Sequence, residues 1–308
     1  MKILVTGGAG FIGSHVADAY LQAGHEVTII DDLSSGRTEN LNPAATFHRL
    51  DIQDKGVAEL FAQEKFEVVN HHAAQMDVRK SVDDPLFDAR TNILGTLNLL
   101  ECSVKFGVKK FIFASTGGAV YGEQERFPAD ESHPTWPLSP YGITKLACEK
   151  YLFYYKEVHH LPHVILRYAN VYGPRQNPHG EAGVVAIFTE RLLSGEQPII
   201  NGDGTQTRDY VYIDDLVRMN LLALNHERSE AFNVGTGTET DVNTIYRLLN
   251  QYTGADREEV HGPAKPGEQQ RSCLSYAKAE QVFGWKPEVE LNQGLKKTVE
   301  YFVKRMRN

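Results

Sequence analysis

Apolar and polar positions along the first half of the chain alternate in blocks of two kinds. Short runs dense in β-branched and aromatic residues, at Lys2–Thr6, Glu26–Asp31, Thr46–Leu50, Glu67–His71, Lys110–Ser115 and His163–Tyr168, read as buried strands. Between them the periodicity becomes helical. Phe11–Ala23 follows the first run, and Ile93, Leu97, Leu100 and Val104 recur at i, i+4, i+7 and i+11, which is one helix face. Strands alternating with helices predict a doubly wound α/β fold, a parallel sheet covered on both sides.

The rhythm changes after Asn170. Pro174, Pro178 and Gly180 open an irregular segment, and helical patterns follow at Val184–Leu193, Asp215–Leu224, Val242–Tyr252 and Leu291–Val303. A polar loop, Asn201–Arg208, leads into a predicted strand at Asp209–Ile213. This divides the chain into a nucleotide-binding domain over residues 1–170 and a smaller α/β substrate domain over 171–308. A strand near 210 or 232 remains free to return to the large sheet.

Composition narrows the function classes. The 308 residues carry 32 Lys+Arg against 40 Asp+Glu, a formal charge of −8, which is unfavourable for a nucleic-acid surface. The longest apolar stretch, Ala182–Phe188, is far short of the ~20 residues of a membrane helix. The apolar run Ile3–Val5 stops at Thr6 and a glycine cluster, so no signal peptide is expected. Cys102, Cys148 and Cys273 are scattered and fit reduced cytoplasmic thiols. His71-His72 and His159-His160-x-x-His163 lack a second ligand cluster of matching spacing, so no metal is expected.

Chemistry enters with the glycines. Gly7-Gly8-Ala9-Gly10-Phe11-Ile12-Gly13 lies between the first predicted strand and its helix, where backbone N–H groups at a helix start can take a pyrophosphate. This is the setting of a Rossmann-type dinucleotide site. Asp31 stands 18 residues beyond Gly13 at the end of the second strand, suited to a ribose 2′-OH and hostile to a 2′-phosphate, which favours NAD. Arg37 is the one nearby residue that argues for NADP. Asp51-Ile52, closing the third strand, is placed to edge the adenine.

In Ser139-Pro140-Tyr141-Gly142-Ile143-Thr144-Lys145 the serine suits an N-cap and the proline a first helical position. Tyr141 and Lys145 then stack at i and i+4 on one face. Ionising half of a free phenol at pH 7 requires about 3 pKa units, roughly 4 kcal/mol. One cation supplies about 1–3 units, so Tyr141 works as a base only with Lys145 and the positive charge of an oxidised nicotinamide together. Upstream, Phe111–Ser115-Thr116-Gly117-Gly118 ends a strand in hydroxyls, and Thr116 can share a hydrogen bond with the substrate hydroxyl that Tyr141 deprotonates.

Together with Leu166-Arg-Tyr-Ala-Asn170-Val-Tyr-Gly-Pro-Arg175, these motifs resemble the extended short-chain dehydrogenase/reductase family. Within it the chain is most similar to NAD-dependent nucleotide-sugar epimerases acting on UDP-glucose at C4, over nearly its whole length. The resemblance implies adenosine and pyrophosphate contacts at Gly7, Gly10, Phe11, Ile12, Asp31, Ser35, Gly36, Asp51 and Ile52. It implies a cofactor-side turn at Ala73, Ala74 and Gln75, an Asn on the next helix at Asn92, and nicotinamide-side groups at Tyr141, Lys145 and Tyr168. Thr116, Tyr141 and Lys145 match the catalytic set. Asn170, Arg208, Lys265, Glu268 and Arg271 match substrate contacts, with Ser272 in the sugar pocket.

The family resemblance also implies a homodimer, built in relatives from two helices per subunit that correspond to 92–106 and 141–157. Related dehydratases and decarboxylases carry an acid after the catalytic hydroxyl; Gly117 and Gly118 stand there. A relative that binds NAD without chemistry is disfavoured by the intact Thr116–Tyr141–Lys145 set. Met76 stands where many epimerases have Lys, Ser275 where relatives have Asp, and Lys265 replaces a frequent Arg. The small Ser272 leads to the expectation that UDP-N-acetylglucosamine is also accepted; UDP-glucuronate is a further alternative, without an added basic residue to require it.

Overall fold

The computed structural model describes residues 1–179, 183–265 and 269–307. Strands β1 (Lys2–Thr6), β2 (Glu26–Asp31), β3 (Thr46–Arg49), β4 (Val68–His71), β5 (Lys110–Thr116) and β6 (His163–Tyr168) join Glu230–Val234 in one seven-stranded sheet. All its pairings are parallel, in the order Glu230–Val234, β6, β5, β4, β1, β2, β3. The doubly wound fold expected from the alternation is therefore present. The direction of winding reverses between β1 and β4, and ligands of such sheets bind at the strand C-termini beside that reversal.

The near-continuous burial of β1 and β6 is what a sheet covered on both faces demands. Ile3 and Val5 face a layer with Val16, Tyr20 and Met219, while Leu4 faces Phe61, Leu99 and Leu152. Each such side chain contributes about 1.5–3 kcal/mol on burial. On the first face a polar chain crosses the core. Asn70 donates to Tyr20 Oη at 2.6 Å and to Asn220 Oδ1 at 2.9 Å, and Asn220 donates to Tyr168 Oη at 2.9 Å.

Of the two strands that could return to the sheet, the one at 230–234 does. The predicted strand 209–213 forms as Tyr210–Tyr212, but it pairs outside the large sheet. Thr207–Arg208 pairs antiparallel with Thr240–Asp241, Tyr210–Tyr212 pairs parallel with Asn170–Tyr172, and Ile213 already begins a helix, Ile213–Ala223. Asp209, just before it, is 1 % exposed, and its carboxylate accepts from the N–H groups of Thr236, Gly237 and Leu274. A buried acid needs such donors, and satisfying them turns the chain away from the sheet.

Candidate active site

β1 runs into the glycine turn. Gly7 has φ +67, and a Cβ there would lie 2.7 Å from Ala73 N; a Cβ on Gly13 would lie 2.3 Å from Gly7 O. Gly10 differs, since its Cβ would meet only Gly7 O, at 3.1 Å. Gly10 caps the helix Phe11–Gln22 without a side-chain bond, leaving the first-turn N–H groups to an external acceptor at the positive helix end. Phe11 and Ile12 are half-buried on that first turn. The turn is a cradle that fits a pyrophosphate.

Asp31 closes β2 at 7 % exposure. Its Oδ2 accepts from Ala9 N at 3.0 Å and Oδ1 from Leu33 N at 2.8 Å, and burial raises its pKa against those bonds. Each oxygen retains a lone pair for a ribose hydroxyl. A Cβ on Gly36 would lie 2.7 Å from Asp31 Oδ1, so only glycine lets the loop pass, with Ser35 exposed beside it. Arg37 donates to Asn177 Oδ1 at 3.4 Å, across the cleft. Asp51 accepts from Gln53 N, and Ile52, 5 % exposed, packs where a Cβ on Gly95 would be.

After β4, Thr6 Oγ1 accepts from His72 N and Ala73 N, both at 3.1 Å, which holds the Ala73-Ala74 turn against Gly7. Gln75 and Asn92 clamp each other. Gln75 N donates to Asn92 Oδ1 and Asn92 Nδ2 to Gln75 O, both at 2.9 Å. Their side chains are buried in this lattice, which backs the turn after β4. Tyr168 lies behind it, 5 % exposed and stacked on His72 with ring centroids 6.3 Å apart. Among the described residues neither ring nitrogen of His72 has a hydrogen-bond partner, and burial next to Lys145 pulls its pKa down to about 3.

The helix Pro140–His159 begins as its sequence foretold, with Ser139 Oγ accepting from Gly142 N and Pro140 in the first turn. Tyr141 is half-buried, and its N–H donates to Ser81 Oγ at 3.2 Å. Lys145, 4 % exposed, donates to Ala114 O at 2.9 Å and sits 4.8 Å above the Phe113 ring. Burial lowers its pKa to about 8, against the opposing charges of Cys148, Asp88 and Glu149.

At the end of β5 the two hydroxyls separate. Ser115 Oγ donates to Glu149 Oε1 at 2.6 Å, inside the core, where Glu149 also takes Arg167 Nε and Nη2 at 3.0 and 2.6 Å. Thr116 is half-buried on the open side. A Cβ on Gly118 would lie 3.7 Å from Asn170 Oδ1 and 3.9 Å from Thr116 Oγ1, so both border one small volume.

The second half of the chain brings two arginine-bearing segments together. Thr207 N donates to Gln270 O at 2.9 Å, and Arg208 Nη1 to Thr207 O at 2.8 Å. Glu239 takes Arg271 through Nε at 2.9 Å and Nη2 at 2.6 Å, and accepts from Thr207 Oγ1. The Arg271 guanidinium stacks 3.7 Å over Phe127. Lys265 is exposed, and Glu268 lies outside the described residues. Ser272 is 1 % exposed. Among the described residues no group of His, Cys, Asp and Glu could hold a metal, and no helix is long and apolar enough to cross a membrane.

A family model for the NAD dependent epimerase/dehydratase family matches residues 3–235. The chain belongs to that family. The span ends one residue beyond the strand Glu230–Val234, so it takes in the large sheet apart from Lys2 at the start of β1. A UDP-glucose 4-epimerase of Mycolicibacterium smegmatis is 46 % identical over 308 residues, covering 98 % of each chain. The crystal structure of the Thermotoga maritima UDP-glucose 4-epimerase with UDP-glucose superposes with a TM-score of 0.98 at 53 % identity, over 99 % of this chain and 100 % of that one. The Thermus thermophilus UDP-glucose 4-epimerase in complex with NAD gives 0.94 at 43 % identity, over 98 % and 99 %.

Sequence reasoning passed over Asp88, Phe127, Glu149 and Glu239, and considered His72 only as a metal ligand. Glu149 could have been found, at i+4 from Lys145 on the same helix face. Glu239 carries no local signal, because its partners Thr207 and Arg271 each lie 32 positions away, and Asp88 meets Thr144 only across 56 positions.

Proposed function

We propose that this member of the epimerase/dehydratase family interconverts UDP-glucose and UDP-galactose through a 4-keto sugar, with NAD as cofactor. The observation that carries the reading is the buried Lys145 one turn after Tyr141, bonded to Ala114 O two residues before Thr116 at the C-terminal edge of β5. The glycine turn and Asp31 would hold the cofactor pyrophosphate and adenine ribose. NAD, when bound, supplies the oxidation and re-reduction of C4. Tyr141 takes the proton of the 4-hydroxyl and later returns it, Lys145 favours the phenolate by its charge, and Thr116 holds the hydroxyl oxygen in line. Arg208 and Arg271 hold the UDP pyrophosphate, remote binding that retains the keto sugar while it presents its other face. Asn170, bordering the same volume as Thr116, contacts the sugar-phosphate end.

Elimination chemistry is disfavoured by sequence at both Gly117 and Gly118, and at Gly117 by space as well. A Cβ on Gly117 would lie 2.3 Å from Leu274 Cδ1, so no acid fits there unless Leu274 moves. The reading includes a homodimer, supported by an exposed row of Ile143, Tyr151, Tyr154 and Val158 on the helix Pro140–His159. A cytoplasmic setting agrees with three free, buried cysteines.

The test is to incubate purified protein with UDP-galactose, UDP-N-acetylgalactosamine and UDP-galacturonate, with and without added NAD, and resolve the epimers. UDP-glucose as the main product supports the reading, and no epimer in either condition overturns it. Preferred turnover of the N-acetylated or the acidic sugar transfers the assignment to that substrate.

A further inference from the structure

Asp88 lies on the short helix Pro85–Ala89 and is 0 % exposed. Its Oδ1 accepts from Gln75 Nε2 and Asn92 Nδ2, both at 3.0 Å, and its Oδ2 from Thr144 Oγ1 at 2.8 Å. One carboxylate thus ties the turn after β4 and the segment Arg90–Leu94 to the helix of Tyr141 and Lys145. Thr144, the residue it grips, stands between those two.

All three partners of Asp88 are neutral, and among the described residues no cation lies within ion-pair distance of it. A buried carboxylate in that state is costly without a compensating charge. Lys145 is in the complementary position, a buried ammonium whose described partner is a backbone carbonyl. The titratable groups that bear on Lys145 are few. From its own helix come Tyr141, Cys148 and Glu149; from the end of β4, His71 and His72; from Pro85–Ala89, Asp88. Burial keeps both histidines neutral, and Arg167 already neutralises Glu149. Asp88 is the carboxylate left over.

We propose that Asp88 is a positioning residue for the reaction: through Thr144 it fixes the helical turn bearing Tyr141 and Lys145, and its charge offsets that of the buried Lys145 ammonium. The inference rests on the epimerase reading only in taking Tyr141 and Lys145 as the reacting pair. In the low dielectric of the interior the two charges act on each other beyond contact distance.

The experiment uses the full-length, NAD-loaded protein in two arms. In the first, carbon-13 lysine labelling follows the Lys145 Cε resonance against pH without substrate, assigned by its loss in Lys145→Arg. Asp88→Asn should lower the Lys145 midpoint, and with it the alkaline limb of kcat, by roughly one pH unit. An unchanged midpoint in folded Asp88→Asn overturns the charge role. In the second arm Thr144→Val should lower kcat about tenfold or more with KM unchanged, and Thr144→Ser should restore it. A kcat unaltered in Thr144→Val overturns the positioning role, whether or not Asp88→Asn folds. Wild-type protein that epimerises nothing while its Lys145 midpoint still falls on Asp88→Asn would sink the epimerase reading and leave the charge role standing.

Discussion

Lys145 Nζ donates to the carbonyl oxygen of Ala114 at 2.9 Å, which fastens the helix of the proposed base to the strand that ends two residues later in Thr116. Thr116, Tyr141 and Lys145 are thereby held by one joint between helix and sheet. The ammonium form of Lys145 is the one that favours a phenolate, and burial has brought its pKa down to about 8. As pH rises through about 8 the ammonium is lost, so kcat should fall there, well below the range of a free lysine. Lys145→Met should lower kcat by about 10²–10⁴, and initial rates measured across pH check both outcomes.

Gly13→Ala should be more damaging than Gly10→Ala. The new methyl would meet Gly7 O at 2.3 Å in the first case and at 3.1 Å in the second. Backbone cannot yield as a side-chain tip can, so Gly13→Ala should cost at least about 2 kcal/mol and reduce the NAD that co-purifies. Thermal melting and cofactor content after acid release measure the two effects.

Glu149 and Arg167 are a buried, bidentate pair with Ser115 and Tyr121 as further partners. Replacing Glu149 by Leu strands the guanidinium without its counter-charge, for which about 3–5 kcal/mol of destabilisation is expected. Glu149→Gln keeps the shape and should cost less. Urea unfolding of both variants distinguishes a charge effect from a packing effect.

His72 imposes a pH dependence on folding. Its folded pKa is pulled down to about 3 from 6.5, so between those values the unfolded chain binds a proton that the folded one refuses. Stability is therefore lost as pH falls from about 6.5 toward 3. His72→Phe should flatten that slope by about 1.4 kcal/mol per pH unit. Unfolding free energies measured at intervals through this window decide it, and an unchanged slope would refute the assignment.

Ser272 is buried, and a large residue at this position should meet a packed wall. Ser272→Tyr is expected to destabilise the protein by about 1–3 kcal/mol, visible as a lower Tm, as well as to alter the sugars accepted. A variant as stable as the wild type would show that the wall opens.

The large sheet was readable because most of its strands are short runs rich in β-branched and aromatic residues set between helical periods, and six of the seven lie where the pattern put them. Asp31 and the Tyr141–Lys145 spacing were equally local signals, each fixed by its distance from a strand end or helix start. Where the strand Tyr210–Tyr212 pairs was not readable, since its run of Tyr and Val suits any sheet until the distant N–H groups of Thr236 and Leu274 claim Asp209 beside it. Ser115 and Thr116 looked alike for the same reason. What separates them is Glu149, 34 positions from Ser115, which draws the serine inward. Sequence spacing foretells what neighbours along the chain can do, and it is silent on partners that only folding supplies.

The strand Glu230–Val234 has a consequence for how the protein is made. It alone covers the outer edge of β6, and it leaves the ribosome more than sixty residues after β6 does. Throughout that interval the growing chain presents a bare, apolar, parallel edge, the kind of surface on which unfinished chains adhere to one another. Slow translation between residues 170 and 230 should therefore lower the yield of folded protein, and chaperones that shield nascent strands should restore it.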